Sequence, residues 1–424
     1  MTDSDTTRHL IPSSSGRSAW FLGRGSLTPA QRLGPAVRLL EMARRASDAG
    51  LCTTIAMDHV QLDEEGISTA HLDRRILPRI RPGDALVVSP HLPWPVLFPL
   101  LRSRIPFDVD SHGLGAAEGM ETDTGLPGWR LFQGRRRSAL RMRLLLHRCH
   151  RIYLSIPEQT AFLGGSLFRE STANDIRLAS RLPEKVVYAP MGASERPFPD
   201  ESSPYGFLGD RPVLLWGGGI WSWFDIPTLL RAFAHLSSRG HPAALYFLAG
   251  ANPSGLSSQD SPFQRAKGMA SQMGLLDSSV FFHPSSVSPE QLPRYLGACR
   301  AGILSNPPRL EALLSWRTRL LDLLWAGKPA VVSGSDPLTE RMVSEGAALA
   351  VPAGDHEALA DAIARLCDDA DLVRTCGGAA QRMGKSLGWS STLSQVVGFW
   401  SDPGSWSPSA PAPGRSILRV LAGL

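Results

Sequence analysis

The chain has 424 residues, 43% hydrophobic and 20% charged, with a formal net charge of +5. That length exceeds what one hydrophobic core usually serves and points to two domains, and the composition excludes disordered and fibrous classes. With no run of 18 apolar residues and no basic-then-apolar leader, the reading is a cytoplasmic protein that does not span a membrane.

Residues 1–17 are polar and Ser-rich and are expected to be disordered. A first strand is predicted at Ser18–Leu22, then a loop from Gly25 to Gly34. The loop opens a helix from Pro35 to Ala49, with proline at its favoured first-turn place. Strands follow at Thr53–Met57, Ala85–Ser89, Ile105–Val109, Arg151–Leu154 and Val186–Ala189; the acidic tract Asp58–Glu65 reads as a solvated loop. The basic run from Arg130 to Arg151 includes Arg135, Arg136, Arg137, Arg141 and Arg143. It alternates with Leu140, Leu144, Leu145 and Leu146 at helical spacing, without interleaved aromatics. Two readings stand: the solvated face of a helix, or a weak contact with an anionic acceptor or membrane surface. Strand–helix alternation implies parallel strands covered by crossover helices, over an N-terminal domain at 18–195.

The segment 196–210, rich in Pro and Gly, is the expected linker, and a second series occupies 211–389. It runs strand Val213–Trp216, loop Gly217–Gly219, helix Ile226–Ser237, strand Ala244–Leu248, helix Phe263–Met273 and strand Val280–His283. Helix Glu290–Ala298 and strand Gly302–Ser305 lead to the segment Arg309–Ser333, and strand Ala348–Val351 and helix His356–Cys367 complete the domain. A terminal helix is expected at 390–402, then a Pro/Ser-rich linker and short apolar tail over 403–424. That tail either docks on the body or touches a membrane.

Within Arg309–Ser333, Ser315 is expected to cap a helix running to about Ala326, stopped by Gly327 and Pro329. Arg317 and Arg319 then fall in its first turn, where the helix dipole disfavours cations, and Asp322 interrupts an apolar seam. One reading is a surface ion pair of Arg319 with Asp322. The other is an anion held by guanidinium forks and free backbone amides. Gly217–Gly219, between strand and helix, suit either a tight turn or a phosphate cradle, although the dinucleotide and P-loop fingerprints are not met. Trp221 and Trp223 beside them read as an aromatic platform or as core. The five cysteines are scattered with no C-x-x-C pair, and the histidines form no H-E-x-x-H, so no metal or disulfide framework is expected.

Val213-Leu-Leu-Trp-Gly-Gly-Gly-Ile-Trp-Ser-Trp-Phe-Asp225, Glu311, and Arg317-Thr-Arg-Leu-Leu-Asp-Leu-Leu-Trp-Ala-Gly-Lys-Pro329 resemble the nucleotide-sugar half of GT-B glycosyltransferases. The nearest pattern is the family 4 branch of bacterial polysaccharide and natural-product clusters. In the first half, Gly34-Pro-Ala-Val-Arg38, Asp110-Ser-His112-Gly113 with Glu118, Ser155-Ile-Pro-Glu-Gln159 and Val187-Tyr-Ala-Pro-Met-Gly192 resemble its other landmarks. The resemblance implies an α/β, GT-B fold: two Rossmann-like doubly wound domains facing across a cleft. It implies a metal-independent, retaining glycosyltransferase with a nucleoside diphosphate sugar as co-substrate and no cofactor, acting on a small-molecule or saccharide acceptor. It places Gly218, Gly219, Arg317 and Arg319 at the donor diphosphate, Asp322 at the ribose, and Glu311 facing the donor sugar. His112 would contact the reacting sugar or acceptor, and Gly34, Arg38 and Asp110 would lie on the acceptor side. Departures are an Asp at 225 with no basic residue before Arg231, Asp322 in place of the usual Glu, and a spacing of eleven rather than eight positions from Glu311 to Asp322. A sugar-nucleotide epimerase on the same fold, and a non-catalytic nucleotide-sugar-binding protein, are the alternatives.

Overall fold

The computed structural model describes residues 16–28, 31–32, 34–113, 128–170, 172–248, 261–285 and 287–406. Residues 1–15 of the expected disordered N-terminus, Glu118, and the apolar tail beyond Trp406 lie outside them.

Among the described residues, the first half contains strands β1 (Ser18–Leu22), β2 (Ser26–Thr28), β3 (Gln31–Arg32), β4 (Cys52–Met57) and β5 (His59–Val60). It continues with β6 (Ile67–His71), β7 (Ala85–Val88), β8 (Asp108–Asp110), β9 (Ile152–Leu154) and β10 (Val186–Tyr188). Seven of them form one parallel sheet in the order β10-β9-β8-β7-β1-β4-β6. The central β1 and β7 read Ser-Ala-Trp-Phe-Leu and Ala-Leu-Val-Val and are buried almost throughout, because helices cover both faces of such a sheet. The second half adds β11 (Val213–Gly217), β12 (Ala244–Leu248), β13 (Val280–Phe282), β14 (Ala301–Ser305), β15 (Ala330–Ser333) and β16 (Ala348–Val351). Their order, β13-β12-β11-β14-β15-β16, is again fully parallel. Both sheets reverse direction of growth beside their first strand, and ligands of doubly wound folds bind outside the strand carboxyl ends at that point.

Several expectations need correction. The stretch after β1 is not a plain loop. β2 and β3 form an antiparallel pair, and β2 also runs parallel to β5. The strand expected at Ile105–Val109 is Asp108–Asp110, displaced past Pro106, and the edge strand β6 was not anticipated. The basic helix spans Gly128–Arg148 and does carry aromatics: Trp129 and Phe132 are both more than half exposed. The terminal helix is two pieces, Trp389–Thr392 and Ser394–Ser401, and Trp406, expected in a linker, is fully buried.

Those last residues return to the first sheet. Trp400 packs edge-on against Phe21, and its indole N–H donates to the Tyr153 hydroxyl at 3.0 Å. Tyr153 in turn donates to Asp108, which also accepts from Arg151, whose guanidinium reaches the Ser405 carbonyl at 3.2 Å and stacks on Phe399. Burial pushes Asp108 up to about 6 despite Arg151. The chain thus passes between the halves twice, and the two passes touch through a bridge between Ala193 and Gly388. Glycine is required there, because a Cβ at Gly192 would sit 2.7 Å from the Trp389 nitrogen.

Candidate active site

The second sheet's switch point lies between β11 and β14. β11 runs out at Gly217, and Gly218 turns the chain with φ of +104°, a conformation that suits glycine. β14 ends at Ser305-Asn306, and Pro307-Pro308 keep the next residues extended before a single helical turn at Leu310–Leu313. A second helix occupies Thr318–Trp325, with Arg317 as its N-cap residue. Contrary to the expectation from sequence, Ser315 does not cap it. Its hydroxyl is spent on Glu311, 2.7 Å from both the carbonyl and Oε1.

This two-helix arrangement folds Arg317 back onto Glu311. The guanidinium donates from both terminal nitrogens to the two carboxylate oxygens at 2.8 and 2.7 Å, and both side chains are buried. Arg317 Nε stands 3.8 Å from Asp336, which burial raises against the opposing charge of Arg317. Asp336 also caps the next helix and accepts from Asn306 at 3.3 Å. Arg319 turns the other way. Nη2 donates to the Gly219 carbonyl at 3.0 Å, and the guanidinium lies over Phe224 at 4.3 Å and Trp216 at 4.9 Å. Burial, then the neighbouring charge of Arg317, lowers its pKa to about 9. The surface ion pair with Asp322 is absent. Asp322 is half-buried and makes no hydrogen bond through its carboxylate among the described residues. Burial raises it to about 7, with Arg319 opposing.

Several buried polar atoms around this point lack partners among the described residues: Arg319 Nη1, Arg317 Nε, Ser305 Oγ and Asn306 Oδ1. Native interiors seldom tolerate such groups, and a cluster of them at a switch point fits a polar ligand. Trp221 and Trp223 resolve as a stacked pair, centroids 5.3 Å apart, with Trp221 over one third exposed.

On the first sheet, Arg38 is fully buried and its Nε donates to both oxygens of Asp110 at 2.8 and 2.9 Å. His112 Nδ1 lies 3.2 Å from Asp110 Oδ2. Burial would raise Asp110, but Arg38 and His112 outweigh it and hold the carboxyl down at about 2. Gly34 merely begins its helix in the open; the glycine that close packing demands is Gly23, where a Cβ would sit 2.2 Å from Leu39.

The two groups meet through a residue not singled out from sequence. Gln159 is fully buried, and its Oε1 accepts from Ser155 N at 2.8 Å. Its Nε2 donates to the His112 carbonyl at 3.3 Å and across the cleft to the Leu314 carbonyl at 2.9 Å. Leu314 also buries its side chain in the first domain's apolar cluster, and Trp316 donates to Met191 O at 3.0 Å. The segment between Glu311 and Arg317 is therefore fastened to the half carrying His112. The only sequence signal for Gln159 was its place in a five-residue landmark.

Residues 211–369 match the family described as glycosyl transferases group 1. No curated protein sequence matches the chain. Among solved structures, it is similar to a sucrose-phosphate synthase from Thermosynechococcus elongatus (18% identity, TM-score 0.64, covering 91% of this chain and 98% of that one). It is also similar to the Anabaena protein HepE in complex with UDP-glucose (13%, 0.60, 90% and 99%). A UDP-forming trehalose-phosphate synthase from Burkholderia xenovorans, in complex with glucose-6-phosphate, matches at 10% identity and TM-score 0.62, covering 91% and 100%. The described residues share the GT-B fold of these structures, and the family match covers the second half at residues 211–369.

Proposed function

We propose that this GT-B glycosyltransferase is metal-independent and retaining, and that it moves a sugar from a nucleoside diphosphate sugar to a small-molecule or saccharide acceptor. The observation that carries the reading is the unpartnered, buried Nη1 of Arg319, beside a glycine turn at the switch point. A Cβ at Gly218 would lie 4.0 Å from that guanidinium, so the turn, which needs glycine for its φ of +104°, runs directly beside it. A diphosphate there receives a charge-assisted hydrogen bond where charge develops as the sugar leaves. Arg317, fixed by Glu311 and with its charge balanced there, holds the start of the helix that carries Arg319. HepE's complex with UDP-glucose supports a donor of this class.

In this reading the donor C1–O bond breaks with its electron pair on the diphosphate, and charge builds on the sugar as in an oxocarbenium ion. The acceptor hydroxyl bonds to C1 on the face the diphosphate vacates, and its proton passes to the leaving diphosphate oxygen. Asp110, held by Arg38, orients the ring of His112 at the acceptor edge while Ser155 and Gln159 hold its carbonyl, and Asp322 offers its carboxylate to the ribose hydroxyls.

Thermal melts against a panel of nucleoside diphosphate sugars test the donor class, since ligand at 100 times its Kd stabilises the fold by about 2.7 kcal/mol. Product analysis with the stabilising donor then tests transfer. Arg317→Ala strands the buried Glu311 carboxylate, so urea melts should show a loss of about 3–5 kcal/mol, and the protein that remains folded should lose about 100-fold in turnover. Full activity in that variant would sink the assignment, and donor conversion without any acceptor would make the protein an epimerase instead.

A further inference from the structure

The helix Gly128–Arg148 is longer than its place in the fold requires. Its 21 residues extend about 30 Å, whereas β8 and β9, which it links, have three residues each and extend about 10 Å. Its second half is fastened: Leu144, Leu145 and Leu146 are buried. Arg143 pairs with Asp175 at 2.6 Å, and Arg148 donates to the carbonyls of Leu101 and Ser103 at 3.1 and 2.9 Å. The first half is not. Among the described side chains, Trp129, Arg130 and every residue from Phe132 to Ala139 are exposed.

What it displays is specific. Arg130 lies over Trp129 at 5.2 Å and Arg136 over Phe132 at 5.6 Å. On the adjacent helix Trp94–Arg102, Arg102 lies over the exposed Phe98 at 5.5 Å, and Arg141 over Trp94 at 5.2 Å. Residues 94–104 and 128–148 together hold nine arginines and no Asp or Glu, and apart from the paired Arg143 and the buried Arg148 seven of them are exposed or half-buried. Arginine beside exposed aromatics is the chemistry of the lipid–water interface: the rings enter the acyl boundary and the guanidinium groups meet anionic headgroups. A crossover helix begins at the carboxyl edge of its preceding strand, here the β8 edge that carries Asp110 and His112.

We propose that the first three turns of this helix, with the outer face of Trp94–Arg102, dock on an anionic lipid bilayer and set the Asp110–His112 edge against it. The inference stands apart from the sugar-transfer reading, because it rests on surface charge and exposure alone.

The test is co-sedimentation of the full chain with vesicles of phosphatidylcholine alone, and of phosphatidylcholine mixed with phosphatidylglycerol, at physiological ionic strength. Binding to the mixed vesicles and not to the neutral ones is expected. The triple variant Arg130→Gln/Arg136→Gln/Arg137→Gln should weaken it roughly 100-fold, about fivefold per charge. Phe132→Ser, which keeps every charge, should weaken it about tenfold. Phe98→Ser on the separate helix repeats that test should the first variant melt the exposed turns. Equal binding to both vesicle types, or vesicle binding unchanged in the triple variant or in both Phe variants, overturns the proposal. So does retention on single-stranded RNA in place of the anionic vesicles.

Discussion

Replacing Arg319 by methionine keeps an unbranched side chain of similar reach and removes its charge. In the empty protein that charge is poorly placed: burial and Arg317 lower its pKa to about 9. At about 1.4 kcal/mol per pKa unit, this sets on the order of 3–5 kcal/mol against the charged form. Opposing it are one hydrogen bond to the Gly219 carbonyl, about 1 kcal/mol, and the stacking on Phe224 and Trp216, about 1–2 kcal/mol. Arg319→Met should therefore leave the empty protein as stable as its parent or about 1–2 kcal/mol more stable. The same change removes the donor proposed for the diphosphate, and turnover should fall about 100-fold, equivalent to roughly 3 kcal/mol. Urea melts of both proteins, with and without the best-stabilising nucleoside diphosphate sugar, measure the two effects separately. The refuting result is the reverse pattern: a variant more than about 2 kcal/mol less stable when empty, with its affinity for the sugar nucleotide intact. Arg319 would then be a core strut and not a ligand group.

Two other changes probe the site from different sides. Gln159→Leu strands the Leu314 carbonyl and the Ser155 N–H, so urea melts should show a loss of about 2–4 kcal/mol. Donor affinity should persist while kcat falls, and an unchanged kcat would mean that the tie across the cleft is not used in turnover. For Asp322, raised in the fold to about 7, the native state keeps a proton between pH 4 and 7 that the unfolded chain has lost. Stability therefore falls with rising pH across that window and is level above it. Asp322→Asn should make the fall shallower and remove its share up to pH 7, leaving that of Asp108, which is raised to about 6. Donor affinity should rise through pH 7 only in the parent, and superimposable stability profiles would show that Asp322 does not titrate there.

The second domain was more legible than the first for physical reasons. β11, β12, β14 and β15 are continuous apolar runs bounded by Gly or Pro, a pattern that a doubly covered parallel strand must have. β6 reads Ile-Ser-Thr-Ala-His and lies at a sheet edge with mostly exposed side chains, so no apolar run announces it. The arginines and acids of Arg309–Ser333 were visible as misplaced charges, but their pairing was not. Ser315 looked like a cap, and only the fold shows that two short helices replace one and aim Arg317 at Glu311. Nothing local could link Gln159 with Leu314, 155 residues away, since a single amide bridging two domains leaves no periodicity. The aromatics at the start of the basic helix were legible and were missed.

The return of the last helix to the first sheet has a consequence for the order of synthesis. Trp400 closes over Phe21 and Tyr153, with 247 residues separating it from the tyrosine whose hydroxyl it binds. A nascent chain that has emerged only as far as the linker displays Phe21 uncovered, and Arg151 without the Ser405 carbonyl and the rings of Phe399 and Trp406. The first domain cannot mature by vectorial, domain-by-domain folding as the chain leaves the ribosome. It has to wait for the whole second domain to be made, and the completing contact is among the most distant in sequence that the chain can form, which makes that closing step slow.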